Sequence, residues 1–114
     1  MRMTMPPAGR LDRRVQFLRA ELVNDGYQTR PGPYDPHGHK VWASKTPVSD
    51  AEKFRADSVM RDMTDRFVVR YSSLTAGLQT SDRLVCDGVT YGIAGVKEIG
   101  RREGFEITAM RVDE

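Results

Sequence analysis

Leu84-Val85-Cys86-Asp87-Gly88-Val89-Thr90-Tyr91 decides the fold of this chain. Two apolar-rich runs flank Asp-Gly, a dipeptide that tolerates positive φ at both central positions of a tight hairpin turn. With a two-residue loop, Cys86 faces Val89, Leu84 faces Tyr91 and Asp82 faces Ile93. Leu84, Cys86, Val89, Tyr91 and Ile93 then share one face, and Arg83, Val85, Thr90 and Gly92 share the other. The apolar face is coherent, so the register supports itself. Upstream, Arg66-Phe67-Val68-Val69-Arg70-Tyr71 sets Phe67, Val69 and Tyr71 opposite Arg66, Val68 and Arg70; downstream, Gly104 to Met110 alternates again. Such runs joined by short turns predict antiparallel β structure, which excludes most α/β enzyme scaffolds.

Working outward, Arg13 to Leu22 reads as a first strand with Val15 and Phe17 on one face. Leu18 and Ala20 break the alternation, which predicts a bulge or burial on both faces. The stretch 24–39 holds Gly26, Pro31, Gly32, Pro33, Pro36 and Gly38, and that density of breakers predicts a long irregular loop. Lys40 to Thr46 is a second strand carrying Trp42 and ended by Pro47. Ser49-Asp50-Ala51-Glu52 fits a capping box opening a short helix to about Val59 or Arg61. Thr64 to Ser72 is a third strand, and Leu74 to Ser81 a loop bending at Gly77. Gly92 and Gly95 predict sharp coiling in the fifth strand, as at the corners of small barrels. A polar turn around Gly100 leads into the sixth.

The expected fold is therefore mainly β: a small antiparallel β-barrel of about six strands with one short helix between the second and third. Residues 1–9, with Pro6-Pro7, read as a flexible arm; residues 10–114 form a single domain with the long loop 24–39 and a helical connector, 47–64. A chain of 114 residues supports one modest core.

Composition narrows the function. The net charge of +2 leaves no whole-chain electrostatic footprint for nucleic acid. Fourteen of the 18 basic residues are Arg, which suits bidentate contacts and interfaces, although GC-rich coding accounts for the same bias. Cys86 is the one cysteine, so no intramolecular disulfide forms, and a reducing compartment is expected. No apolar run approaches membrane-spanning length and no leader-like segment opens the chain, so neither export nor membrane contact is expected.

Catalytic and metal patterns are sparse. His37-Gly38-His39, with Asp35 as a third candidate ligand, is the one metal-like spacing, and nothing in a Pro/Gly-rich segment fixes its geometry. No nucleophile elbow or phosphate loop occurs, and Asp62 and Asp65 read as solvated charges rather than an acid–base pair. No enzyme activity, cofactor or metal is expected. In the connector, Lys53, Arg55 and Arg61 alternate with acidic residues, while Met60 and Met63 are apolar in a polar segment. Flexible methionines suit adaptable contact surfaces, and equally a cover for the barrel's end.

Ala8-Gly9-Arg10-Leu11-Asp12-Arg13-Arg14-Val15, Val41-Trp42-Ala43 before a proline and capped helix, Asp65 to Tyr71, Asp87 to Val96 and the charged turn before the last strand occur in an order that resembles the phage head-tail joining family, also called head-completion, stopper or head-tail adaptor proteins. Relatives occur in prophages and gene transfer agents. The resemblance spans Ala8 to Val112, and the long loop 24–39 departs from it. It implies a virion neck protein made in the bacterial cytoplasm and assembled as a homo-oligomeric ring around the DNA channel. Its partners would be copies of itself, a portal or adaptor protein on the head side, a tail-terminator or tail protein on the tail side, and double-stranded DNA passing without sequence reading. In stopper members the segment between the second and third strands reaches the channel and retains DNA. That segment is the connector here, making Lys53, Arg55, Met60, Arg61 and Met63 the candidate channel and ring-interface residues. A tail terminator or another connector layer is the rival within this class. An OB-type single-stranded nucleic-acid module is the rival outside it, and would need exposed aromatics on a basic strand face.

Overall fold

The computed structural model describes residues 4–24, 26–49 and 63–112. One antiparallel sheet contains β1 (Arg13–Asn24), β2 (Thr29–Pro36), β3 (Val41–Pro47), β4 (Asp65–Arg70), β5 (Arg83–Cys86), β6 (Val89–Ile99) and β7 (Gly104–Arg111). Their order is β2-β1-β3-β4-β7-β6-β5, and β5 pairs back onto β1. The sheet thus closes into a circuit of β1, β3, β4, β7, β6 and β5, which is the expected small all-β architecture. β2 lies outside that circuit, attached to β1.

The Asp-Gly hairpin has the register read from the sequence. Asp87 and Gly88 take φ of 52° and 79°, as a type I′ turn requires. Leu84 pairs with Tyr91 and Cys86 with Val89, and the Ile93 amide donates to the Asp82 carbonyl at 3.3 Å. The alternating residues then meet inside. Val15, Phe17, Phe67, Val69, Leu84, Tyr91, Ile107 and Ala109 are all fully buried in one cluster, and the Phe67 and Tyr91 rings meet edge to face at 5.1 Å. Coiling in β6 comes from a bulge between Ile93 and Gly95, beside the glycines that predicted it.

The stretch 24–39 corrects the sequence reading: it is not an irregular loop, since Thr29–Pro36 is a seventh strand. β2 pairs only with β1, so the lost donors of Pro31, Pro33 and Pro36 need not disrupt a second neighbour. A register shift between Ala20 and Leu22 absorbs the remaining mismatch, in the region where β1 was expected to bulge. A second correction falls after β4, where a single-turn helix, α1 (Ser73–Ala76), stands in place of the start of a loop. Ser72 caps it: its hydroxyl accepts from the Thr75 amide at 3.1 Å, and its own amide donates to Thr75 Oγ1 at 2.8 Å. The helix expected from Asp50 to about Arg61 lies outside the described residues.

At the N-terminal side, Ala8–Arg10 forms one 3-10 turn, and Leu11 is buried. Gly104, at the start of β7, pairs with Arg70. A Cβ at Gly104 would overlap both the Val69 carbonyl oxygen and the Met5 side chain. Since the Val69 backbone is fixed in the sheet, Gly104→Ala is expected to cost about 1–3 kcal/mol of unfolding free energy, the range for overpacking. The readout is a lower urea midpoint at unchanged m-value; an unchanged midpoint would show that β4 and β7 part freely.

Candidate functional site

The connector leaves and re-enters the sheet at one point. The Val48 amide donates to the Thr64 carbonyl at 3.0 Å, and the Thr64 amide donates to the Ala109 carbonyl at 3.0 Å. Just inside that junction Pro47 pairs with Asp65, and Val48 is 4% exposed. Segment 49–63 is therefore anchored at both ends to β3, β4 and β7. Of the candidate residues in it, Lys53, Arg55, Met60 and Arg61 lie outside the described residues. Met63 is described, and its side chain is 1% exposed, packed within the subunit.

A clamp holds β1 where it leaves the circuit. Arg19 donates from Nε to one Asp82 carboxylate oxygen and from Nη2 to the other, both at 2.8 Å, and Nη2 also reaches the Gly77 carbonyl at 2.8 Å. Asp82 is almost wholly buried and accepts in addition from the Gln79 amide at 2.8 Å. Burial alone would raise the carboxyl's pKa. The Arg19 hydrogen bonds, the Gln79 amide and the charges of Arg19 and His37 outweigh it and hold it below the ordinary range. Nothing in the sequence signals this pair, since its members are far apart in the chain and each is unremarkable locally.

Beyond Leu18, β1 pairs only with β2, and the two form an arm. Tyr34 braces its base: the hydroxyl donates to the Ser81 carbonyl at 3.1 Å, and the Arg83 guanidinium lies 4.2 Å from the ring centre. Further out, Leu22 is 73%, Val23 42% and Tyr27 98% exposed. The opposite end of β1 carries another exposed aromatic. Arg14 pairs with Trp42, and the Arg14 guanidinium sits 4.6 Å over the Trp42 ring, which is half exposed. Two open grooves of about 370 and 390 Å³ flank this ring, and Arg70 lines both. His39, Lys40, Val41, Tyr71 and Ser72 complete one groove, and Ala8, Gly9, Leu11 and Asp12 the other.

Among the described residues no group of three His, Cys, Asp or Glu side chains is placed to hold a metal ion. The His37 backbone amide donates to the Phe17 carbonyl at 2.8 Å. Phe67, Tyr91 and Phe105 are buried and unavailable to stack on bases, whereas Tyr71 is half-exposed and stacks on Phe105 at 5.6 Å. Cys86 is buried, and burial, followed by the nearby Asp87 charge, pushes its thiol pKa up, away from nucleophilic chemistry. No helix among the described residues is long and apolar enough to cross a membrane.

Comparison with known proteins fits this arrangement to one family. The sequence profile of the phage head completion protein matches residues 6–112, nearly the whole chain. The fold is similar to the solution structure of protein SF1141 from Shigella flexneri 2a, at 20% identity and a TM-score of 0.70, covering 96% of this chain and 99% of that one. At that identity the likeness is one of fold alone. No protein of curated function matches the chain in sequence.

The clamp and the thiol each give a measurable outcome. Because the Asp82 pKa is lowered by folding, its stabilisation is fully present above the unfolded value of about 3.9 and is lost as pH falls through the folded value. Asp82→Asn should lower stability at neutral pH by about 1–3 kcal/mol and flatten the acid limb of a stability-versus-pH curve. An unchanged acid limb would assign that limb to other carboxyls. Cys86 should react with a thiol reagent at neutral pH only as fast as the chain unfolds; rapid native-state labelling would contradict its burial.

Proposed function

This chain belongs to the phage head completion protein family, a structural and non-enzymatic family of the head-tail neck, and from that premise we propose that it assembles as a ring of identical copies around the DNA channel. In this reading the ring sits between the portal or adaptor on the head side and the tail-terminator or tail protein on the other. The connector 47–64 points toward the channel. Lys53, Arg55 and Arg61 meet passing phosphates, and the acidic residues among them keep the contact weak enough for DNA to slide. Phosphate contacts position without reading sequence, which suits a conduit.

The observation that carries this reading is the anchoring of the connector. Both of its ends are tied at Val48 and Thr64 to the same rigid place in the closed sheet, so each copy presents the connector from a fixed origin while the scaffold stays unchanged. Loops held by a rigid scaffold are a usual place for contacts that do the work. The basic residues within it give those contacts a partner of the opposite sign.

Particles carrying Arg55→Ala and Arg61→Ala together should assemble with normal head and neck composition yet lose DNA from filled heads, measured as the ratio of filled to empty capsids. Full retention with intact necks would remove the channel role from these arginines. Electron microscopy of the purified protein mixed with portal assemblies tests the ring itself, which the account expects to appear as an added layer on the portal.

A further inference from the structure

The β1–β2 arm has two edges, and only one of them is blunted against further pairing. The tight turn at Asp87-Gly88 makes Cys86 and Val89 a hydrogen-bonded pair, so on β5 it is Val85 that turns its amide and carbonyl toward β1. Gln16 stands opposite Val85 and Leu18 opposite Arg83. Gln16 and Leu18 therefore point their backbone groups at β5, and with period two Ala20, Leu22 and Asn24 point theirs the same way. Phe17, between them, faces the other side, where its carbonyl accepts from the His37 amide. The register shift does not disturb this alternation. Its extra residue belongs to β2, since Ala20 to Leu22 is matched by Tyr34 to Pro31.

Among the described residues no strand pairs with β1 on the β5 side beyond Leu18. The outer edge of β2 is built differently. Pro36 and Pro31 stand opposite Leu18 and Leu22, whose backbone groups face away from β2. The two proline nitrogens thus face outward and carry no hydrogen to donate. Proline on an edge strand guards against pairing with another chain. The β1 edge has no such guard, and Leu22 on it is 73% exposed. A two-stranded ribbon is marginal in water, and added strands stabilise it.

We propose that this edge pairs antiparallel with the same edge of a second copy, with Leu22 opposite Leu22 across a two-fold axis. Charge and space select the register. Edge-facing residues must meet edge-facing residues, so Leu22 can face Leu18, Ala20, Asn24 or itself. Leu18 is already taken by Arg83. Facing Ala20 would set Glu21 against Glu21, and facing Asn24 would set Glu21 against Asp25; like charges directly opposite are unfavourable. With Leu22 on the axis, Ala20 faces Asn24 and Glu21 faces Val23. That ladder makes about six backbone hydrogen bonds, brings two exposed leucines together and stops short of the Arg19–Asp82 clamp. A two-fold contact joins two copies and goes no further, so it is separate from the proposed ring and stands without it.

Cysteine crosslinking reads the register, and Cys86 is buried and does not compete. Hydrogen-bonded antiparallel partners have Cα atoms about 5.5 Å apart, inside the disulfide range. Leu22→Cys protein should crosslink to itself under mild oxidant. Asn24→Cys protein should not, yet it should crosslink when mixed with Ala20→Cys protein. Equal self-crosslinking of all three would mean random collision of arms and overturn the pairing, and so would no crosslinking at all. In the unsubstituted protein, once most of it is dimer, exchange at the Ala20, Leu22 and Asn24 amides should slow about threefold for each tenfold rise in concentration, by mass action. Fast exchange at every concentration would contradict the proposal. Protection gained only when portal assemblies are added would also overturn it, since a strand of another protein would then be the occupant.

Discussion

The pairing of β1 with β5 is the constraint on which the rest depends. Val15 lies opposite Cys86 and Phe17 opposite Leu84, and all four side chains are buried. Without this pairing the strands would form an open sheet with two long edges, and the inward faces of β4, β6 and β7 would lack a wall. Burying a Phe or Leu side chain stabilises by about 1.5–3 kcal/mol, so the four together decide whether a domain of this size folds. The pairing also joins early and late parts of the chain, so closure must await the whole sequence.

From that closure the functional geometry follows in sequence. β1 is held on one edge by β3 and β2 in succession and on the other by β5. Where β5 ends its support, the Arg19–Asp82 clamp takes over, and the rest of β1 departs with β2 as an arm. On the far side of the circuit β3 and β4 anchor the connector through Val48 and Thr64. A single closed sheet therefore fixes both the base of the arm and the two ends of the connector.

The sequence made the closed part of the fold legible because inside and outside alternate there with period two. The Asp87-Gly88 register and the Val15–Phe17 face could be read residue by residue. The arm was missed: its strands meet last at Asn24 and Thr29, with four residues between them, and not across a two-residue Asp-Gly turn like that at Asp87-Gly88. Three prolines in the returning strand argued against pairing, and they are harmless only because β2 is an edge, a fact that belongs to the topology. The short helix α1 was missed because its capping partners, Ser72 and Thr75, lie where strand and loop readings overlap. Likewise the Trp42 surface had no signal: Arg14 and Trp42 meet only once β1 and β3 pair.

Amide hydrogen exchange measures the central constraint most directly. Amides in Val15–Leu18 and Arg83–Cys86 should exchange only with global unfolding, as slowly as those of β6 and β7, while the arm beyond Ala20 exchanges sooner. If β5 lost its protons early while β4, β6 and β7 stayed protected, the sheet would be open at that seam and the account would be wrong.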